Sequence, residues 1–303
     1  MFLVKEARVL LGTTVSVAVV YYDVEYAKYA IQRAFDEVKR IENLMNIYNK
    51  NSEVSKLNEQ GFLQGASADL VHVIREAGKI WKLTDKVFDI TILPLIEFLD
   101  KNFSVKSTSF MKDLKTVLEL VNYGKVKVCQ NNIKFLKRGM KITLNGIAKG
   151  YAIDRAIEIL IKHDIKHALI NAGGDIRAIG GKTVKEPWRI AIRDPFNKQN
   201  YITVLKIWDA AVSTSGSYER RIAQGMVSHI LKPRTNSFIE NIVSATVISD
   251  KALKADAFAT SLCAMEPSKG IKMVEELDGT EAMIVTKDGE IMKTEGFKFY
   301  EVD

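Results

Sequence analysis

Residues 145–154, with the sequence NGIAKGYAID, hold a lysine between two glycines at the start of an expected helix. Ile142 and Leu144 predict a short strand before this segment, and apolar residues at helical spacing predict the helix from about Ala148 onward. Backbone N–H groups at a helix start attract phosphate, as does a lysine charge, and glycine lets a ligand approach the main chain. The segment therefore fits an anion site around Lys149, or else a solvated surface lysine.

Oxygen-bearing side chains occur at a second place, the segment ADAFAT at residues 255–260. Asp256 and Thr260 are four residues apart in an expected helix that begins near Lys251, so their oxygens share one helical face. Carboxylate and hydroxyl oxygens, with no cluster of cysteine or histidine, suit Mg²⁺ rather than Zn²⁺. The alternative is an ordinary helical aspartate beside a threonine that bonds its own backbone.

Three turn-rich segments supply further polar groups. Residues 169–180, LINAGGDIRAIG, end a strand at paired glycines and then present Asp175, which fits a plain hairpin turn or a turn that holds a polar ligand. Residues 211–221 place several hydroxyls around Gly216. His229 lies on an alternating run before a Pro-Arg-Thr turn, where a histidine is either a structural side chain or a base.

Together these segments resemble the ApbE family of flavin transferases, in order and over nearly the whole chain. The resemblance is carried by LGTTVSV, IYNKNSEVSKLN, FDITILPL, NGIAKGYAID, NAGGDIRAIG, WRIAIRDP, STSGSYERR, SHILKPRT and ADAFATS. It implies an FAD:protein FMN transferase that uses Mg²⁺, moves FMN from FAD to a threonine or serine hydroxyl of a target protein, and releases AMP. Some relatives mainly hydrolyse FAD to FMN and AMP, and a non-catalytic FAD-binding or trafficking protein is a third interpretation.

The resemblance also implies the metal ligands and the catalytic residues. Asp256 and Thr260 would hold Mg²⁺ together with a main-chain carbonyl, that of Gly146. His229 would bind FAD or accept the proton of the incoming hydroxyl, a task open to an acid of the site as well.

An FAD-binding set follows from the same resemblance. Tyr48 would stack on the isoalloxazine ring or else close the core, and Asp89 would lie near the flavin and metal or else be a turn residue. Asp89 and Asp175 are the two acids that could replace His229 as proton acceptor. The whole implied set is Leu11, Tyr48, Ser52, Asp89, Lys149, Gly174, Asp175, Ser215 and His229.

The composition is that of an ordinary globular protein, with 303 residues, 47% hydrophobic and 27% charged. A net charge of +7 favours an anionic ligand, but no basic cluster with interleaved aromatics occurs, so nucleic acid is not an expected partner. The resemblance implies instead a target flavoprotein subunit of the respiratory Na⁺ or electron-transport complex type. Members of the family are commonly exported lipoproteins, whereas this sequence shows no leader or lipobox. Membrane association through a removed leader, on the periplasmic side, and a cytoplasmic location are both open.

Hydrophobic periodicity predicts an α+β fold in one domain, residues 1–303. We expect two interleaved lobes, a smaller helical one at roughly 25–120 and a larger sheet-containing one at 1–24 and 121–303, with FAD in the cleft between them. Cys129 and Cys263 are expected to be buried free thiols. The expected helices lie at 25–48, 68–82, 110–120, from 148, from 251 and at 268–277. The expected strands lie at 8–22, in 126–143, in 168–247, and in a hairpin at 282–292.

Overall fold

The computed structural model describes residues 1–102, 110–197, 199–216, 221–222, 227–228 and 241–302. Within these ranges the α-helices are α1 Val24–Met45, α2 Glu53–Gln60, α3 Ala68–Leu83, α4 Leu93–Asn102, α5 Phe110–Leu118, α6 Ala148–Lys162, α7 Ala252–Leu262 and α8 Pro267–Glu275. The strands are β1 Phe2–Leu10, β2 Thr13–Tyr21, β3 Phe62–Leu63, β4 Val126–Cys129, β5 Asn132–Phe135, β6 Ala168–Ala172, β7 Asp175–Ile179, β8 Trp188–Arg193, β9 Tyr201–Ile207, β10 Ala211–Gly216, β11 Arg221–Ile222, β12 Val227–Ser228, β13 Ile242–Ser249, β14 Glu281–Thr286 and β15 Ile291–Lys293. The predicted α+β class is confirmed.

An antiparallel sheet of eight strands in the order β1-β2-β6-β7-β10-β13-β14-β15 forms the centre of the fold. Its strands alternate between two apolar faces, as β2 shows. Val15, Val17 and Val19 join the core beneath the helices, whereas Ala18 and Val20 join a second core against the β8–β9 hairpin. The sheet is therefore covered on both faces, and the helical face carries the site.

Helix α1 begins where the Asp23 carboxylate accepts the backbone N–H of Tyr26 at 3.0 Å. Its apolar residues recur at helical spacing, so one face is buried along α6 and the sheet. The main core runs without a break through β2, α1, α3, α6 and α7. The proposed division into two interleaved lobes stays a prediction, and these lobes would share that core.

The expected single strand at 8–22 is wrong, because the chain turns back at Leu11 and Gly12 to form the β1–β2 hairpin. Both turn residues have positive φ, 55° and 70°, which is the two-residue turn that matches strand twist. A leucine at positive φ is uncommon. Because apolar residues continue to alternate through this turn, the sequence pattern does not reveal it. The backbone N–H of Leu11 is held by the Glu42 carboxylate at 3.0 Å.

Other boundaries also differ from the expectations. Helix α1 ends at Met45, so Tyr48 lies beyond it, and residues 142–144 form no strand. Cys129 is exposed, and only Cys263 is the buried free thiol expected of both. Helices α2 and α4 were not predicted, because short helices leave weak periodic signals. No helix in the described residues is both long and apolar enough to span a bilayer.

Candidate active site

A cleft of about 330 Å³ opens on the helical side of the sheet, between the end of α1, the β1–β2 turn and the start of α6. Three residues of the FAD-binding set predicted from sequence, Leu11, Tyr48 and Lys149, line this cleft. The remaining lining residues are Gly12, Ile41, Glu42, Met45, Asn46, Asn145 and Ala148. The ring of Tyr48 is 85% exposed and is accessible to a ligand in the cleft.

Two hairpin tips meet beside this cleft. Gly173 and Gly174 form the β6–β7 turn with φ of 63° and 102°, and the backbone N–H of Gly173 bonds the Thr14 carbonyl at 3.3 Å. A Cβ at Gly173 would overlap the Thr13 hydroxyl, so glycine permits this contact. Gly174 donates to Asn171 Oδ1 at 2.9 Å and faces open space. The Gly-Gly pair is thus the turn of the β6–β7 hairpin, and the FAD-binding role of Gly174 stays a prediction.

A chain of polar contacts fixes Lys149 at the cleft wall. The Lys149 ammonium bonds Oδ2 of Asp175, and Oδ1 of the same carboxylate accepts the Ser213 hydroxyl at 2.5 Å. Asp175 is buried, as is Ser213, whereas Lys149 keeps a quarter of its side chain exposed. Asp175 therefore orients the ammonium. Ser213 was missed from sequence, because nothing in a hydroxyl-rich strand marks which residue faces an acid.

The predicted metal ligands lie together. A Cβ at Gly146 would be 3.1 Å from the Thr260 hydroxyl, and the Ser215 hydroxyl is 3.4 Å from the same oxygen. Asp256, one helical turn earlier on α7, is 3% exposed, and its Oδ2 accepts the backbone N–H of Gly150 at 3.0 Å. Glycine at 146 leaves room at Thr260, and the donors are all oxygens. This donor set fits Mg²⁺.

The part of the chain that the structure describes contains no group of three or more His, Cys, Asp or Glu side chains that could hold a metal ion. The predicted site at Asp256 does not require such a cluster, because its other predicted ligands are the Thr260 hydroxyl and the Gly146 carbonyl. A site of this kind leaves coordination positions to waters and to phosphate oxygens, as Mg²⁺ sites commonly do.

Asp89 is buried at the start of a short 3₁₀ helix, Ile90–Ile92, which is the setting of a turn residue. Its carboxylate accepts from Trp81 Nε1, the Tyr123 N–H and the Thr91 N–H, each at 2.9 Å, and from the Thr91 hydroxyl at 2.6 Å. Burial raises the pKa of Asp89, and these hydrogen bonds oppose the rise. The structure places Phe88, rather than Asp89, against the loop of Gly146, at 3.4 Å from a Cβ there.

Ser52 is likewise placed in a helix start and away from the described lining of the cleft. It is buried, and its hydroxyl caps α2 by accepting the Ser55 N–H at 3.0 Å. The FAD-binding roles of Ser52 and Asp89 remain predictions. His229 lies outside the described residues, as does the Pro-Arg-Thr turn that follows it.

Glu42 was missed from sequence although its carboxylate lines the cleft. On α1 it reads as one of many charged residues of a solvated face. Its hydrogen bond from the Leu11 N–H, at 3.0 Å, forms only once the hairpin is folded against the helix. The sequence carries no signal for this contact, because the partner of Glu42 is a backbone N–H 31 residues away.

The architecture is that of the ApbE flavin transferases with solved structures. The ApbE protein of Thermotoga maritima aligns over the whole of both chains with a TM-score of 0.89 and 30% identity. The flavin transferase ApbE of Vibrio cholerae aligns over 99% of both chains with a TM-score of 0.83 and 25% identity. Among relatives compared by sequence, an FAD:protein FMN transferase of Klebsiella pneumoniae is 30% identical over 94% of this chain and 90% of its own.

The sequence model of the ApbE family matches residues 11–284, and the chain belongs to this family. The resemblance inferred from the short motifs is thereby confirmed.

Proposed function

We propose that this protein is an FAD:protein FMN transferase, which moves FMN from FAD to a threonine or serine hydroxyl of a target flavoprotein and releases AMP. The observation that carries the proposal is the meeting of Asp256, Thr260 and Gly146 next to a cleft that exposes Tyr48 and Lys149. Relatives along nearly the full chain bear the name of this activity. The target would be a subunit of the respiratory Na⁺ or electron-transport complex type.

Asp256, Thr260 and the Gly146 carbonyl would hold Mg²⁺. The ion would neutralise charge on the pyrophosphate and make the phosphorus more electrophilic. Asp256 is oriented for this task by the Gly150 N–H, and Thr260 by its position one turn later on the same helix. Ser215, 3.4 Å from the Thr260 hydroxyl, would support the same corner of the site.

Lys149 would bind the phosphate oxygens from the wall of the cleft. A charge-assisted hydrogen bond is worth about 1.5–3 kcal/mol, whereas a helix N-terminus gives an exposed anion about 0.3–1 kcal/mol. The helix start is also partly engaged, since the Ala148 N–H bonds the Leu144 carbonyl at 2.8 Å and the Gly150 N–H bonds Asp256. The Lys149 ammonium is paired with Asp175, but it has three N–H donors and can keep this pair while it donates to a phosphate oxygen, so it would supply more of the binding than the helix start does.

Tyr48 would stack on the isoalloxazine ring. It stands at the open side of the cleft, beyond the end of α1, with its ring accessible. Stacking on an aromatic ring contributes about 0.5–1.5 kcal/mol beyond burial. The flavin would then lie toward α1 and the pyrophosphate toward α6, where Lys149 is.

The proton of the acceptor hydroxyl would go to His229. The two other candidate proton acceptors, Asp89 and Asp175, already accept hydrogen bonds. Asp89 accepts four, and Asp175 accepts from Lys149 and Ser213. An acceptor of that kind would have to release its partners before taking a proton. The choice of His229 therefore rests on the family resemblance and on the existing hydrogen bonds of those two acids.

Incubation of the protein with FAD, Mg²⁺ and an acceptor peptide bearing threonine tests the proposal. A matched peptide with alanine in place of threonine is the control. We expect AMP in solution and a peptide whose mass rises by one FMN group, with the alanine peptide unlabelled. AMP with free FMN and no labelled peptide would identify a pyrophosphatase, and absence of AMP would identify a binding protein; either result overturns the proposal.

A further inference from the structure

Asp154, the last residue of the NGIAKGYAID segment, lies on α6 but caps the start of a different helix. Its Oδ1 accepts the N–H of Ala252 at 2.9 Å and its Oδ2 accepts that of Leu253 at 3.0 Å, which are the first two residues of α7. Lys251, the N-cap position of α7, makes no side-chain cap hydrogen bond. The start of α7 is therefore satisfied from α6 rather than from its own sequence.

The reverse contact joins the same two helices. Asp256 of α7 accepts the N–H of Gly150, in the first turn of α6, at 3.0 Å. A Cβ at Gly150 would overlap the Ala252 carbonyl, so the two helices touch backbone to backbone at this point. Each helix start is thus held by an aspartate of the other helix, and one of these aspartates is a proposed metal ligand.

Arg177 of β7 completes the arrangement from the sheet. Its guanidinium forms an ion pair with Asp154 Oδ1, and both side chains are almost fully buried. Asp154 is the acceptor that the structure describes for this guanidinium, whose Nε has no hydrogen-bond partner among the described residues. Burial raises the pKa of Asp154, and Arg177 together with the two helical N–H groups opposes that rise.

We infer that Asp154, held by Arg177, is a positioning residue that sets the place of α7 and thereby of the metal ligands Asp256 and Thr260. The inference rests on the proposed function, because it concerns the metal that this function needs. Mg²⁺ demands near-ideal octahedral geometry, so a small displacement of α7 along α6 would degrade the site. Residues that orient metal ligands typically change metal affinity about 10–100-fold when replaced.

Asp69, which lies on α3, offers a matched control because it contacts the same helix, α6. It accepts the Tyr151 hydroxyl of α6 at 2.5 Å and pairs with Arg40 at 2.8 Å, so it also anchors α6 through a partly buried carboxylate. The hydrogen bonds and ion pairs that the structure describes for Asp69 go to α1 and α6. A loss of metal affinity caused by general destabilisation would appear in both variants, whereas a positioning effect would appear only at Asp154.

The test measures direct Mn²⁺ binding, by electron paramagnetic resonance titration with FAD present, for the wild-type chain, Asp154→Ala, Asp154→Asn and Asp69→Asn. We expect about 10–100-fold weaker binding for Asp154→Ala. Asp154→Asn should be intermediate, because its amide oxygen still accepts one N–H, and Asp69→Asn should bind like the wild type. Equal Mn²⁺ affinity of Asp154→Ala and wild type would overturn the inference. A loss of Mn²⁺ affinity that follows the fall in melting temperature in every variant, Asp69→Asn included, would also overturn it.

Hydrogen exchange of the Gly150 amide, measured by NMR without metal or FAD, gives a readout that does not depend on the proposed function. We expect Asp154→Ala to raise the exchange rate of the Gly150 amide about tenfold, which corresponds to the free energy of one hydrogen bond. Asp69→Asn should leave this rate unchanged. If the wild-type chain binds no Mn²⁺ but the exchange still responds, the metal site is wrong and the helix coupling stands. Unchanged exchange in Asp154→Ala would overturn the coupling itself.

Discussion

At the scale of single residues, Asp256 bears most of the proposed chemistry. It is a buried carboxylate that a backbone N–H orients, on the same helical face as Thr260. We expect Asp256→Ala to abolish AMP release in excess Mg²⁺ while FAD still binds, since metal contacts contribute mainly to the transition state. AMP release and flavin fluorescence titration would measure the two effects separately.

Asp250 provides the control for that variant. It lies two residues before α7, is 61% exposed at its side chain, and pairs with Lys254 at 2.9 Å. Because an exposed pair of this kind contributes little, Asp250→Ala should keep wild-type AMP release. Full activity of Asp256→Ala would remove Asp256 from the site.

Sequence reasoning found the residues whose types carry chemistry and missed those that hold them. Lys149 and Tyr48 were named and line the cleft, whereas Glu42 and Ser213 were not named. The first kind is visible in a motif. The second kind is defined by a partner distant in sequence, such as Asp154 beside Ala252, and becomes visible only in the folded chain.

Among the secondary-structure elements, the contact between α6 and α7 determines where the proposed metal ligands lie. Gly150→Ala would place a methyl group against the Ala252 carbonyl, and backbone on both sides cannot yield easily. We expect a loss of about 1–3 kcal/mol in the free energy of unfolding, measured by urea denaturation. Gly270→Ala in α8 is the control, because its Cβ would meet side-chain atoms rather than backbone, the nearest being the ends of Leu262 at 2.8 Å and Ile284 at 3.4 Å. Equal stability of Gly150→Ala and wild type would contradict the tight contact.

Tyr123 links the short 3₁₀ helix before β4 to α3. Its hydroxyl donates to the Ile74 carbonyl at 2.8 Å, and burial, with Asp89 nearby, raises its pKa to about 12. A tyrosine whose pKa is higher in the folded state stabilises the fold below the unfolded value of about 10, and this contribution is lost as pH rises toward 12.

We therefore expect Tyr123→Phe to be less stable than wild type at neutral pH, by about 1 kcal/mol for the lost hydrogen bond. Its stability should also fall less steeply between pH 10 and pH 12, as followed by urea denaturation across that range. A wild-type slope in the variant would show that Tyr123 does not cause the alkaline loss.

Secondary structure was predictable wherever one apolar period ran uninterrupted. The α3 helix and the closing β14–β15 hairpin lie where periodicity placed them. The β1–β2 hairpin was missed because Leu11, at φ 55°, carries none of the usual turn chemistry. Ile142 and Leu144 predict a strand because they are apolar and alternate, but residues 142–144 are a buried segment without regular secondary structure.

At the scale of the whole molecule, the main core is continuous across the boundary drawn between the two lobes. Residues of α1 and α3 pack in the same core as those of α6 and α7. We expect the main core to unfold in one calorimetric transition, since neither lobe has a separate core of that size. The α4–α5 pair has its own small cluster, around Leu95 and Leu114, and should show faster hydrogen exchange. Two calorimetric transitions of similar enthalpy would contradict the shared core.

The order of motifs along the chain identified the family, and through the family it predicted the fold more reliably than hydrophobic periodicity did. Motifs far apart in sequence, such as those of Lys149 and Asp256, meet because α6 and α7 cross at their starts. No local pattern predicts that crossing. It follows only from the eight-stranded sheet that carries both helices on one face.

The central claim is that Asp256, Thr260 and the Gly146 carbonyl hold a divalent cation beside the phosphates of FAD. Anomalous diffraction from crystals grown with FAD and Mn²⁺ measures this directly. We expect a manganese peak about 2.0–2.3 Å from these three oxygens and from a phosphate oxygen of FAD, in line with hard-cation geometry. A peak elsewhere, or FAD bound with Asp256 making no metal contact, would contradict it.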